Sequence, residues 1–251
     1  MQLDTIEIRT KNKVIPFTYR CDSDGDKGVM RQIFQSVDYN IEPWYQGKAL
    51  INYHNRQSAS RPSLIVDAGA NIGASAVYFL NTFENSFVFS IEPEINNWQL
   101  LETNTRPYPQ KYNFLGALSD REGELVLIDP GLSDWGFRTR GVSGDEAQPG
   151  QRVKCITPQD VLSNPLCNNA NPLIFKIDIE GGESNLFNGD TSWMERFPLI
   201  IIELHDWMLP FSGSSRSFLQ AVAKYDFDFV HRGENIFLFN RKILGPEAAS
   251  K

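Results

Sequence analysis

The residues best placed to do chemistry lie in one run, Leu64-Ile-Val-Asp-Ala-Gly-Ala-Asn-Ile-Gly73, an apolar segment that ends in Asp67 and passes into a turn carrying Gly69, Asn71 and Gly73. Glycine has no Cβ, so Gly69 and Gly73 let the backbone turn tightly and approach a ligand. A dinucleotide site needs G-x-G-x-x-G/A, whose second glycine admits the pyrophosphate to a helix N-terminus. Here that position is Asn71, and Asp67 adds a negative charge just before the turn, which both count against pyrophosphate. S-adenosylmethionine carries an ammonium and a sulfonium instead, and acidic surroundings attract it. Further along, Glu92 ends the apolar run Ser86–Ile91, where a carboxylate accepts both hydroxyl hydrogens of a ribose. Two later apolar runs are followed by groups suited to proton transfer: Asp178 and Glu180 after the first, Glu203, His205 and Asp206 after the second. Open α/β sheets bind their ligands at such strand ends.

Short apolar runs and helical segments alternate from Ser63 onward, over residues 64–66, 72–80, 87–91, 94–103 and 112–118, the pattern of βαβ units and a parallel sheet. Residues 172–177 and 198–204 are nearly continuous in apolar residues and are expected as central strands. A short helix is expected at 184–188 and an amphipathic one at 214–225, with Phe218, Leu219, Val222 and Tyr225 on one face. Thr157-Pro-Gln-Asp160 reads as a capping box with Pro at the first helical position. Residues 227–230 and 236–239, around Arg232-Gly-Glu-Asn235, read as a hairpin. Before the sheet, residues 5–20 suggest a hairpin with Ile6, Ile8, Val14 and Phe17 inward, and Met30, Ile33, Phe34 and Val37 place a helix over 28–36. The polar stretch 55–63 separates an extension, residues 1–60, from a main domain, residues 61–251. Residues 129–150 are rich in breakers and read as a long loop, in which Trp135, Arg138 and Arg140 are acceptor-contact candidates of low weight.

Composition excludes several classes. The chain has 251 residues, 41% hydrophobic and 22% charged, with a net charge of -7, so phosphate-backbone binding is not its main business and no nucleic-acid partner is expected. Three widely spaced cysteines, without C-x-x-C pairs or a neighbouring histidine array, exclude structural zinc. No apolar run approaches a membrane span, and charges stand where a signal peptide needs an apolar stretch, so a cytoplasmic location is expected. Nothing in the composition addresses oligomeric state.

Several motifs, in order, resemble the FkbM-type S-adenosylmethionine-dependent methyltransferases. Asp67-Ala-Gly-Ala-Asn-Ile-Gly73 is similar to their glycine loop, Glu92-Pro93 to their ribose-binding strand end and Ala117-Leu-Ser-Asp120 with Gly123 to their third-strand signature. Lys176-Ile-Asp-Ile-Glu-Gly181 with Glu183, and Glu203-Leu-His205, resemble their fourth and fifth strand ends. The resemblance covers about residues 63–240. It implies an α/β, Rossmann-like class I methyltransferase fold: a seven-stranded, mostly parallel sheet with an antiparallel last strand, preceded here by a small N-terminal extension. It also implies bound S-adenosylmethionine, held by Asp67, Gly69, Asn71, Gly73, Glu92, Ser119 and Asp120, and methyl transfer to a hydroxyl of a small molecule, sugar or secondary metabolite. Within that frame the expected proton acceptor is His205, whose unperturbed pKa of about 6.5 suits a base near neutrality. Asp178 orients acceptor or cofactor, and Glu180 completes the catalytic set. Glu183 reads as an acid at a helix N-terminus, Lys176 as a surface-edge or ion-paired lysine, and His54 and His231 as structural. The carboxylates lack a diagnostic metal-ligand spacing, so no metal is expected. The alternatives are a nicotinamide-dependent oxidoreductase and a catalytically silent S-adenosylmethionine-binding module.

Overall fold

In the computed structural model, which describes residues 2–10, 13–128, 138–141, 151–208 and 210–246, the chain opens with an antiparallel hairpin, β1 (Leu3–Arg9) and β2 (Val14–Arg20). Ile6 pairs with Phe17 and Ile8 with Ile15, so these four share the inward face. Val14 is 50% exposed, contrary to the expectation that it points inward, because a strand period of two sets it opposite Ile15 and Phe17. Helix α1 (Asp24–Met30) starts earlier than the apolar spacing indicated, since Ser23 caps it by accepting the Asp26 N–H. A π-helical turn, Arg31–Gln35, follows, and Val37 leaves the helical register with φ of 47°. Helix α2 (Tyr45–Gln57) runs through residues 55–57, which the polar composition had assigned to a linker. Buried Leu50 and His54 hold it on the core despite that polar end.

The alternating region follows in order: β3 (Ser63–Ala68), α3 (Ala74–Thr82), β4 (Ser86–Glu92), α4 (Ile95–Thr105), β5 (Lys111–Leu115) and β6 (Ala117–Leu118). Next come β7 (Gly123–Ile128), β8 (Arg138–Gly141) and β9 (Gln151–Ile156), then α5 (Pro158–Ser163), started by the capping box at Thr157 as the sequence indicates. The expected long loop thus contributes a strand, β8; Trp135 lies outside the described residues, as do the side chains of Arg138 and Arg140. The chain closes with β10 (Asn171–Ile177), α6 (Glu183–Asn188), β11 (Leu199–Glu203), α7 (Arg216–Val222), the hairpin β12 (Phe227–Arg232) and β13 (Asn235–Asn240), and α8 (Arg241–Leu244). In α7, Phe218 and Ala221 are buried whereas Leu219 is 53% exposed, so the buried stripe is narrower than the apolar spacing suggests.

Seven strands form the central sheet in the order β12-β13-β11-β10-β3-β4-β5. β10 runs parallel to both β3 and β11, β3 to β4 and β4 to β5, while β13 is antiparallel to β11. This is the expected α/β sheet of a class I methyltransferase, with its antiparallel last strand. All six residues of β3 are buried, because helices cover both faces. Alternation along β11 sends Leu199 and Ile201 to one apolar cluster and Ile200 and Ile202 to the other. The first cluster also takes Ile8, Phe17, Ile33 and Leu50, so the N-terminal 60 residues pack onto one face of the sheet. Strand order departs in opposite directions from the β3–β10 junction, which makes that junction the switch point where such sheets bind ligands.

Candidate active site

Gly69, Asn71 and Gly73 all adopt positive φ, 76°, 49° and 91°, in the turn from β3 to α3. A Cβ on Gly69 would lie 1.6 Å from the Asp178 carbonyl oxygen, and one on Gly73 would lie 3.0 Å from Leu101 Cδ1. Close approach of the turn to the end of β10 and to α4 therefore requires both glycines, whatever ligand the turn holds. Asn71 tolerates its left-handed conformation, and its own Oδ1 accepts the Ile72 N–H at 2.7 Å. Its backbone N–H donates to Glu92 Oε2 at 2.8 Å, while Glu92 Oε1 accepts the Glu94 N–H at 3.0 Å. Burial raises the Glu92 pKa to about 7, against the lowering effect of these two N–H donors. The two expected nucleoside-binding features, the turn and Glu92, are thus tied to each other.

Asp67 lies beneath the turn, fully buried. Its Oδ2 accepts from Ser75 Oγ at 2.6 Å, and its Oδ1 stands 3.3 Å from Lys176 Nζ. Lys176 is buried in the middle of the sheet, so it is ion-paired but not at a surface edge. Its Nζ donates to Gly69 O at 2.7 Å and stands 3.4 Å from Asp178 Oδ2. Burial lowers the lysine pKa, but Tyr39, Asp67 and Asp178 outweigh it and raise the pKa above its usual value. A single cation thereby joins the end of β3, the turn and the end of β10.

A second group forms around His205. Nδ1 lies 2.7 Å from Glu183 Oε1, and Nε2 faces Glu180 Oε2 at 3.4 Å, Asp178 Oδ1 at 3.6 Å and Glu203 Oε1 at 3.6 Å. Glu180 sits at φ of 50°, a conformation costly for a residue with a full side chain, and among the described residues its buried Oε2 has no hydrogen-bond partner. Burial lowers the His205 pKa, but the Glu183 hydrogen bond and the charges of Glu183, Asp178 and Glu180 outweigh it, raising the pKa to about 9. The surrounding carboxylates thus favour the charged imidazole over the neutral form that a general base needs. Burial, then Asp178, pushes Glu180 up to about 7 and Glu203 up to about 8.

Asp178 belongs to both groups and so links the glycine turn to the carboxylate ring. Ser119 and Asp120 belong to neither by any hydrogen bond or ion pair among the described residues. Ser119 donates its N–H to Ile156 O, its Oγ lies 3.2 Å from Asp120 Oδ1, and Asp120 packs against Gly189. Sequence reasoning took Glu183 for a helix-end acid and overlooked Tyr39, which lines the cleft with Ile33, Gly69, Asn71, Lys176 and Asp178. The acid three residues after Glu180 was the one available signal for Glu183; nothing local marks Tyr39. Asp206 faces away, accepting from Ser214 Oγ at 2.9 Å. His54 bonds Ser63 Oγ at 2.8 Å, a structural contact.

No curated protein sequence matches the chain. Among solved structures, monomeric WbdD aligns at 9% identity over 78% of this chain and 40% of that chain, with a TM-score of 0.44. A methyltransferase from Geobacter sulfurreducens aligns at 13% identity over 88% and 90%, with a TM-score of 0.39. TrmK from M. capricolum, in complex with S-adenosyl-homocysteine, aligns at 12% identity over 74% and 65%, with a TM-score of 0.35. Among the described residues no helix is long and apolar enough to cross a membrane. The Methyltransferase FkbM domain matches residues 67–232, a span that runs from Asp67 through the glycine turn, Glu92 and the His205 cluster to β12. The chain belongs to the FkbM methyltransferase domain family and is an S-adenosylmethionine-dependent methyltransferase, which sets aside the nicotinamide-dependent alternative.

Proposed function

We propose that the enzyme methylates a hydroxyl oxygen of a small molecule, sugar or secondary metabolite, with the donor at the turn 67–73 and the acceptor over Asp178 and Glu180. The observation that carries this reading is the shared position of Asp178, which touches the lysine beneath the turn on one side and the carboxylate ring on the other. The donor supplies a methyl carbon on a cationic sulfur, so the protein's task is to align an oxygen with that carbon and to take up the oxygen's proton. The positive-φ turn offers backbone close to the ligand, Glu92 retains lone pairs for ribose hydroxyls, and Ser119 with Asp120 would flank the nucleoside beyond it. Asp178 orients the acceptor. Glu180, whose Oε2 has no hydrogen-bond partner among the described residues, receives the proton, a role that moves to it from His205 because the histidine's Nδ1 is committed to Glu183. His205 holds the carboxylates in place.

The test is incubation with methyl-¹³C donor and pooled polyols, sugars and phenols, followed by carbon NMR, in which O-methyl, N-methyl and S-methyl carbons resonate apart. An O-methyl product, lost in Glu180→Gln with S-adenosylhomocysteine affinity within about twofold of the unmodified enzyme, is the expected result. Methyl transfer to nitrogen, carbon or sulfur would overturn the hydroxyl assignment.

A further inference from the structure

We infer that Asp178, Glu203 and His205 form a binding site for one divalent cation, of the kind that accepts both carboxylate oxygen and imidazole nitrogen. One ligand atom from each lies within 4.8 Å of the others. His205 Nε2 is 3.6 Å from both Asp178 Oδ1 and Glu203 Oε1. Neighbouring ligands of an octahedral ion stand apart by about 1.4 bond lengths, which is roughly 3.3–3.7 Å for bonds of 2.3–2.6 Å and roughly 3 Å for bonds near 2.1 Å. His205 Nε2 therefore stands from each carboxylate at the spacing of a cation's shell, with Asp178 and Glu203 within 4.8 Å of each other, and a smaller ion needs the histidine contacts to close by only about half an ångström.

A second observation is independent of the acidic character of the cluster. The His205 side chain is 2% exposed, and among the described residues its Nε2 makes no hydrogen bond and meets only carboxylate oxygens at 3.4 Å or more. Glu180 Oε2, 3.4 Å away, is likewise buried and, among the described residues, without a hydrogen-bond partner. One ring N–H can point at a single oxygen, yet three oxygens lie around this nitrogen at nearly equal distances of 3.4, 3.6 and 3.6 Å. A cation that displaces the Nε2 proton to solvent satisfies the nitrogen and the oxygens together. The orienting contacts also have the form found around metal-ligating histidines, whose other ring nitrogen donates to a carboxylate. Here Nδ1 lies 2.7 Å from Glu183 Oε1, and Lys176 stands 3.4 Å from the second oxygen of Asp178 and fixes its rotation.

Linear spacing hid this set. Residues 178, 203 and 205 come from two strand ends that the parallel pairing of β10 with β11 makes neighbours, so the metal-free expectation drawn from spacing is replaced by one drawn from geometry. Three protein ligands leave half of an octahedral shell for water or for oxygens of the acceptor. The cation's use in methyl transfer rests on the function proposed above; its binding does not.

The experiment titrates Mn²⁺ into the full chain after dialysis against EDTA and then against chelator-free buffer, following free Mn²⁺ by electron paramagnetic resonance without any methyl donor. The expected result is one Mn²⁺ per chain, with affinity lowered at least tenfold in Asp178→Asn and Glu203→Gln and about 10–100-fold in Glu183→Gln. Absence of saturable binding below about 1 mM in the unmodified protein overturns the inference, and this measurement stands even if a variant fails to fold. Unchanged affinity in a folded Asp178→Asn and a folded Glu203→Gln overturns it equally. S-adenosylhomocysteine calorimetry in EDTA is run in parallel: retained binding there together with no Mn²⁺ binding sinks the cation alone, whereas loss of both sinks the donor site as well.

Discussion

Replacing Lys176 with Met keeps an unbranched side chain, one atom shorter, and removes its charge at the junction of β3, the glycine turn and β10. The ammonium is 3% exposed and stands 3.3 Å from Asp67 Oδ1, a carboxylate with no exposure, so solvent screening hardly weakens the pair. Asp67 would keep only the Ser75 hydroxyl, and Gly69 O would lose its 2.7 Å donor. Leaving one partner of a buried ion pair uncompensated costs about 3–5 kcal/mol. For a chain of this size each kcal/mol moves the melting midpoint by about 2–4 °C, so Lys176→Met should melt roughly 6–20 °C lower. The double variant Asp67→Asn/Lys176→Met removes the stranded charge and should recover at least about 1 kcal/mol relative to the sum of the two single variants. Urea and thermal unfolding of all four proteins complete the cycle. A Lys176→Met protein within about 0.5 kcal/mol of the unmodified one, or strict additivity in the cycle, would refute the claim that the lysine is the electrostatic centre of the junction.

Glu92→Ala should weaken S-adenosylhomocysteine binding at least about tenfold by calorimetry, through loss of charge-assisted hydrogen bonds to ribose worth roughly 1.5–3 kcal/mol each. Because the folded Glu92 pKa is about 7, above its ordinary value of 4.5, the protonated carboxyl favours the folded state. That contribution is complete below pH 4.5 and is lost as pH rises through 7, so chemical denaturation should show Glu92→Gln gaining on the unmodified protein over this window. Affinity for the nucleoside should rise over pH 6–8 in the unmodified protein and stay flat in Glu92→Gln. In the N-terminal 60 residues, Arg20 and Asp26 form a buried pair joined by two side-chain hydrogen bonds and a third from the Arg20 backbone N–H, and Arg20 also donates to Asn97 on α4 at 2.7 Å. Asp26→Ala should therefore cost about 3–5 kcal/mol in urea unfolding, and a loss below about 1 kcal/mol would mean that this pair does not fasten the segment to α4.

The elements legible in the chain are those whose residues meet both of their needs locally. β3, β10 and β11 are nearly continuous in apolar residues because both faces of each are covered, and a chain buried on both sides shows that directly. The capping box at Thr157 and the closing hairpin depend on neighbours a few residues apart, so they too are readable. Gly69, Asn71 and Gly73 mark a turn whose backbone angles only such residues adopt at low cost. Other features are set by partners far away in the chain. Lys176 reads as an anomaly in an apolar strand until Asp67, 109 positions earlier, and Gly69 appear beside it. His205 reads as a histidine of ordinary pKa until Glu183 and the ends of two strands surround it with carboxylates and hold its proton. Nor does local periodicity carry Tyr39 to the cleft, since it arrives there through the packing of the N-terminal segment on the sheet. Local spacing fixes which backbone can form, whereas protonation and ligation depend on the charges that strand order brings within a few ångströms, and only the tertiary structure decides those.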